Sequence, residues 1–149
     1  MTVESENQPP LRNAALRSAD EVLLDSELPS LLVCSIFEDQ RPLKGVAGAL
    51  DWRLKGFLSR FVMNGHITGA HDEFVYVPIK HQGDVRHLML VGLGAERGRR
   101  QSEVMLANLA QRVCAMNFKR VAVSRSSFPF LDESRIKKAL KGVEVEITQ

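Results

Sequence analysis

A mixed, mostly parallel α/β fold is the class this sequence predicts, and three observations predict it. The apolar strand Arg86-His87-Leu88-Met89-Leu90-Val91 runs into a glycine turn at Gly92-Leu93-Gly94. A long amphipathic helix follows, and then a second strand at Val121-Ala122-Val123. That is a β-loop-α-β unit, whose crossover joins parallel strands. Next, Leu31-Leu32-Val33-Cys34-Ser35-Ile36-Phe37 is apolar nearly throughout, as expected of a strand covered on both faces. Last, Phe74-Val75-Tyr76-Val77-Pro78-Ile79 is separated from the strand at 86–91 by the tight turn His81-Gln82-Gly83-Asp84. The two strands form a hairpin on this reading, which makes the sheet mixed.

The elements follow in chain order. Residues 1–18 read as a flexible arm, because polar residues and Pro9-Pro10 offer little to bury. Residues 19–149 read as one domain. Val22-Leu23-Leu24 is a short strand candidate, and Glu27-Leu28-Pro29-Ser30 breaks the chain before the strand at 31–37. Asp39-Gln40-Arg41-Pro42 is a turn. From it Leu43, Val46, Ala47, Leu50, Leu54, Phe57, Leu58 and Phe61 recur at threes and fours, which places them on one face of a helix. Gly45, Gly48 and Gly56 weaken that helix and predict a bend or split near Asp51. Asn64-Gly65-His66 ends it.

Pro78 marks the following strand as an edge or an end. Ser102 is a good N-cap for the next helix, whose stripe is Met105, Leu106, Leu109, Val113 and Met116, with Asn117 as the stop. Ser124 to Pro129 is a loop. Asp132 caps a last helix carrying Ile136, Ala139 and Leu140. Val143, Val145 and Ile147 alternate with Glu144, Glu146 and Thr148, the pattern of a half-exposed strand.

The chain's 149 residues suffice for one domain with its own core. With 20 Lys+Arg against 18 Asp+Glu, the net charge of +2 demands no nucleic-acid partner, so any basic site must be local. The two cysteines, Cys34 and Cys114, are too few for a disulfide scaffold and read as small buried hydrophobes. The expected compartment is a reducing cytoplasm. The polar, acidic start is no signal peptide, and no apolar run approaches the roughly 20 residues of a membrane span.

Gly92-Leu93-Gly94-Ala95-Glu96-Arg97-Gly98 lies between a strand and a helix, where glycine N–H groups can approach an anion. Gly92, Gly94, Arg97, Arg99 and Arg100 are the candidate binding residues. The dinucleotide fingerprint would place a third glycine at position 97, where Arg97 stands, and no Gly-Lys-Ser/Thr follows as in a Walker loop. A structural turn is the favoured reading, with an anion site as the alternative. His66, His71, Asp72 and Glu73 crowd one loop but lack a recognised metal spacing, so a polar surface loop is the better account. No metal, cofactor or catalytic residue is expected. Further basic clusters at Lys119/Arg120/Arg125 and Arg135/Lys137/Lys138/Lys141 read as solvated faces. With Trp52 and Tyr76 the only residues of their types, a base-stacking platform is poorly supported.

From Leu31 to Ser124 the chain resembles the N-terminal domain of the leucyl (cytosol) aminopeptidase family. The matching words are Leu32-Val33-Cys34-Ser35-Ile36-Phe37-Glu38-Asp39; Ala49-Leu50-Asp51 with Gly56 and Leu58; Gly65 and Thr68-Gly69; His87-Leu88-Met89-Leu90-Val91-Gly92-Leu93-Gly94; and Arg120-Val121-Ala122-Val123-Ser124. The resemblance implies a macro-like, three-layer α/β/α fold. In the full peptidases a larger domain follows, with two divalent metals and an Asn-Thr-Asp-Ala-Glu-Gly-Arg signature. That signature is absent from this sequence, so the resemblance transfers no catalytic residue.

The resemblance also implies a role in hexamer assembly, and in some bacterial members DNA binding. Macro domains proper bind ADP-ribose, though their Asn- and Gly-rich ligand loops are not evident here. The expectation is a stand-alone, non-catalytic binding or assembly module, partnered by itself or by a separate catalytic chain. The alternatives are a fragment or split partner of an active metal-dependent aminopeptidase, and a macro-like domain that binds an anion, a nucleotide or DNA.

Overall fold

The computed structural model describes residues 18–25, 31–96, 103–128 and 132–148. In chain order the elements are α1 (Ala19–Asp25), β1 (Leu31–Ile36), α2 (Gly45–Arg53), α3 (Phe57–Met63), β2 (Phe74–His81), β3 (Asp84–Gly92), α4 (Glu103–Ala115), β4 (Arg120–Ser124), a short 3-10 turn (Arg125–Ser127), α5 (Glu133–Ala139) and β5 (Glu144–Thr148). The five strands lie in the order β2-β3-β1-β4-β5. β1 runs parallel to β3 and β4, and β4 parallel to β5, while β2 is antiparallel to β3. The sheet is therefore mixed and mostly parallel, with the hairpin strand and its Pro78 at the edge.

Period-two alternation divides the core between the two sheet faces. On one face Leu32, Cys34, Ile36, Val77, Ile79, Leu88 and Leu90 meet the helical residues Val22, Leu23, Ala47, Leu50 and Leu58 of α1, α2 and α3. On the other, Leu31, Val33, Met89, Val91, Val121 and Val123 meet Met105, Leu109, Val113, Ile136 and Leu140, on or beside α4 and α5. The result is three layers, α/β/α. Leu31 through Cys34 on the central strand β1 are all fully buried, which explains their unbroken apolar run.

Three sequence expectations require correction. Val22-Leu23-Leu24 is helical, within α1. Ser18 and Glu21 build a capping box: the Ser18 N–H donates to Glu21 Oε1 at 2.9 Å, and the Glu21 N–H reaches back to Ser18 Oγ at 3.4 Å. Cys114 is exposed, because it falls outside the stripe that α4 turns toward the sheet; Cys34 is buried. Thr148 is buried where alternation predicts exposure, since it pairs with the buried Ser124.

The long helix divides, as its glycines predict, but a few residues after Asp51. Lys55 (φ 57°) and Gly56 (φ 82°) take left-handed angles between α2 and α3. The Asp51 carboxylate then ties the two helices together, accepting from the Ser59 N–H at 2.9 Å and from the Ser59 hydroxyl. Asp132 caps α5 as expected, accepting from the Arg135 N–H at 2.9 Å. Asn117 stops the chain after α4 with φ 61°. Of the arm expected over residues 1–18 only Ser18 is among the described residues; the rest, and the expected cap at Ser102, lie outside them.

Candidate functional site

In open α/β sheets ligands favour the crevice at the carboxyl ends of adjacent parallel strands whose helices leave to opposite faces. Here those strands are β1, which leads to α2 on one face, and β3, which leads to α4 on the other. Gly92 and Gly94 close β3, so the structure brings both predicted glycines to this crevice. Arg97, Arg99 and Arg100 lie outside the described residues.

The crevice is occupied by the chain itself. The Gly92 N–H donates to Glu73 O at 2.7 Å, and Gly94 N–H to Gly69 O at 2.8 Å. The Glu38 N–H donates to Gly94 O at 2.9 Å and Leu93 N–H to Ile36 O at 3.0 Å. The Glu96 N–H points at the Asp39 carboxylate, 3.0 and 3.2 Å from its two oxygens. A Cβ on Gly92 would lie 2.0 Å from Ala70 O. Glycine is required there because the 69–73 loop passes directly over β3. After β3 the Leu93 and Gly94 N–H groups are thus engaged by the chain's own carbonyls, and the Glu96 N–H by a carboxylate.

The His/Asp/Glu loop is a structural device. Glu73 Oε1 accepts from the Gly69 N–H at 2.7 Å, the Thr68 N–H at 3.1 Å and the Thr68 hydroxyl at 3.1 Å, folding the loop against β3. Asp72 accepts from Asn108 Nδ2 of α4 at 3.1 Å. His66 stacks on Phe61 with centroids 4.7 Å apart. His71 is half-buried, and its Nε2 has no partner among the described residues. These side chains diverge, and among the described residues no group of three or more metal-ligating side chains converges.

The second crevice, between β1 and β4, is narrowed by serines. The Ser35 N–H donates to Ser127 Oγ at 3.2 Å, and the Ser35 hydroxyl to Ser127 O at 2.7 Å. A pocket of about 160 Å³ remains, lined by Ser35, Phe37, Gln40, Lys44, Ser126 and Ser127 among others.

A wider opening, which sequence reasoning missed, lies between the β1–α2 connection and α3. It measures about 710 Å³ and is walled by Pro42, Leu43, Val62, Met63 and Ile67, with Glu38, Arg41, Ser59 and Thr68 also lining it. Arg41 holds it open: its guanidinium donates to Phe37 O at 3.0 Å, Gln40 O at 2.7 Å and Thr68 O at 2.8 Å, bridging its two sides. Met63 lies off the apolar stripe read from the sequence and carried no signal of a groove, because the groove's other wall comes from a distant loop.

On the hairpin, Tyr76 Oη lies 2.7 Å from His87 Nδ1, and His87 also packs against Phe118 with centroids 4.8 Å apart. Burial, aided by the neighbouring Arg86 charge, pushes the His87 imidazole below its usual range. Burial pushes the Cys34 thiol up to about 12, leaving it inert.

The comparisons with known proteins agree with this architecture. Among solved structures, a tomato leucine aminopeptidase mutant superposes with a TM-score of 0.56 at 18% identity, over 81% of this chain and 29% of that one. The chain therefore spans less than a third of that relative's length. The DarG macrodomain of Mycobacterium tuberculosis gives a TM-score of 0.59 at 16% identity, over 85% of this chain and 91% of that one. The DarG macrodomain of Thermus aquaticus gives 0.56 at 17%, over 83% and 91%. These likenesses show the macrodomain-like fold. No helix among the described residues is long and apolar enough to cross a membrane. The model of the cytosol aminopeptidase family's N-terminal domain matches residues 33–145, from the central strand to the last, and the chain belongs to that family through this domain.

Proposed function

We propose that this chain acts as a non-catalytic binding or assembly module, partnered by further copies of itself or by a separate aminopeptidase catalytic chain. One observation carries the reading. The crevice where a fold of this kind usually takes its ligand is laced shut by Gly92, Gly94, Gly69 and the Asp39–Glu96 contact. An apolar groove of about 710 Å³ opens instead on the helical side. Apolar concave surface with few polar groups suits a protein partner better than a phosphorylated small molecule. The cytoplasm is the proposed compartment, where an exposed thiol such as Cys114 stays reduced.

Two measurements on the pure protein test this. Leucine p-nitroanilide with Mn²⁺ or Zn²⁺ is expected to show no turnover, and robust hydrolysis would sink the reading. Light scattering after gel filtration is expected to show self-association, or co-elution with an aminopeptidase catalytic chain from the same genome. A monomer that ignores that chain at every concentration overturns the assembly role.

A second reading makes the glycine turn an anion site. Because the Gly92 and Gly94 N–H groups are engaged, such a site would rest on Arg97, Arg99 and Arg100 rather than on a glycine cradle. Salt-sensitive retention on short DNA, lost when these arginines become alanine, would favour it.

A further inference from the structure

Two large apolar side chains stand out of the α2–α3 pair: Trp52 is 83% exposed and Met63 81%. The segment between them is tied together by hydrogen bonds. The Lys55 N–H bonds to Trp52 O at 3.1 Å. The Arg60 guanidinium folds back to Lys55 O at 3.0 Å, over Gly56. Met63 follows Arg60 by three residues and so neighbours it on the helix surface. At Met63 this ridge opens into the groove walled by Pro42, Leu43 and Ile67.

The charges on the ridge are unbalanced. Neither Lys55 nor Arg60 pairs with a carboxylate among the described residues. Asp51, the acid closest to them in sequence, is engaged by Ser59, and Asp20 of α1 by Arg53 at 2.9 Å. Glu38 and Arg41 both line the groove, so they add no net charge. The surface is thus apolar and cationic, and its complement is apolar and anionic.

We infer that the Trp52–Lys55–Arg60–Met63 ridge docks an acidic, apolar segment of a partner protein, its carboxylates facing Lys55 and Arg60 and an apolar side chain entering the groove. This rests on the binding-module reading above. A nucleic acid is a poorer match, since phosphate-driven binding uses on the order of six to ten cationic contacts and leaves an apolar groove unfilled. Anionic membranes recruit clusters of about four to eight basic residues, and the ridge offers two.

Trp52 is the only tryptophan in the chain, so its fluorescence reports directly on the surface. The probes are a synthetic peptide mixing Leu and Phe with Glu and Asp, the same peptide with Lys for each acid, a single-stranded oligonucleotide, and phosphatidylserine vesicles. The acidic peptide alone is expected to blue-shift the emission and shield it from acrylamide, with affinity falling as salt rises. Lys55→Glu with Arg60→Glu, and separately Met63→Ser, are expected to weaken it about tenfold or more without changing the melting temperature. Should charge reversal unfold the protein, the Gln pair replaces it. No response to the acidic peptide, an equal response to the Lys peptide, oligonucleotide or vesicles, or indifference to charge reversal overturns the proposal. Light scattering on the same variants separates the two readings. Assembly that survives without a peptide response rejects this surface alone, whereas a wild-type protein showing neither rejects both.

Discussion

Replacing Gly92 by alanine tests whether the glycine turn is built for chain crossing. The residue ends β3 with φ outside the left-handed region, so alanine incurs no backbone strain of its own. Its Cβ would lie 2.0 Å from Ala70 O and 2.7 Å from Gly69 C, both backbone atoms that cannot swing aside. The 69–73 loop must lift. Lifting it breaks or stretches three bonds: Gly92 N–H to Glu73 O, Asp72 N–H to Gly92 O, and Gly94 N–H to Gly69 O. At about 1 kcal/mol for each net backbone bond the loss is about 3 kcal/mol, with overpacking adding to it. For a domain of this size that lowers the melting temperature by about 10 °C. Gly65→Ala is the control, because Gly65 has φ 80° and a Cβ there would meet nothing within 4 Å. It incurs backbone strain only, about 1 kcal/mol. Thermal unfolding followed by circular dichroism reads both. If Gly92→Ala melts no lower than Gly65→Ala, the crossing argument fails.

Two further outcomes follow from buried and exposed titratable groups. Native protein should react with one equivalent of a thiol reagent, at exposed Cys114, and with two after denaturation releases Cys34; two equivalents in the native state would contradict the packing of β1. The second concerns pH. Because His87 titrates below its usual value of 6.5 when folded, the unfolded chain binds more protons between the two values, and stability rises with pH there. Acidification from about pH 7.5 to about 5.5 should therefore destabilise the wild type more than His87→Gln. Equal pH slopes would remove this role.

Sequence patterns revealed those features whose cause is local. The run Leu31–Cys34 announced a central strand because burial on both faces demands it. Pro78 announced an edge, and Asp132 a cap, because each depends on one backbone group. Val22-Leu23-Leu24 misled because all three side chains are buried, and a short all-buried run has no period to read. Its capping box, Ser18 with Glu21, was the signal that favoured helix. The closure of the crevice was not legible, since Gly92 meets Ala70 and Asp39 meets Glu96 only after the sheet has assembled. The groove was hidden for the same reason: Arg41 reaches Thr68 across 27 positions.

The sheet's own edges explain why assembly would use the helical side. Gln82 (φ 52°) and Gly83 (φ 85°) make a two-residue turn of the type that matches strand twist. That turn makes His81 and Asp84 a hydrogen-bonded pair. Bonded pairs then recur every second residue along β2, a phase that the Gly92 N–H to Glu73 O bond confirms at its far end. Pro78 falls between them, opposite His87, so its missing N–H faces outward. The inner ladder is intact, and the outer edge lacks a donor at its centre. At the opposite edge β5 is five residues long and carries Glu144 and Glu146, a short and charged strand. Both edges resist strand addition. A partner that cannot extend the sheet must bind side chains, and α2 and α3 present the exposed Trp52 and Met63 beside an open apolar groove.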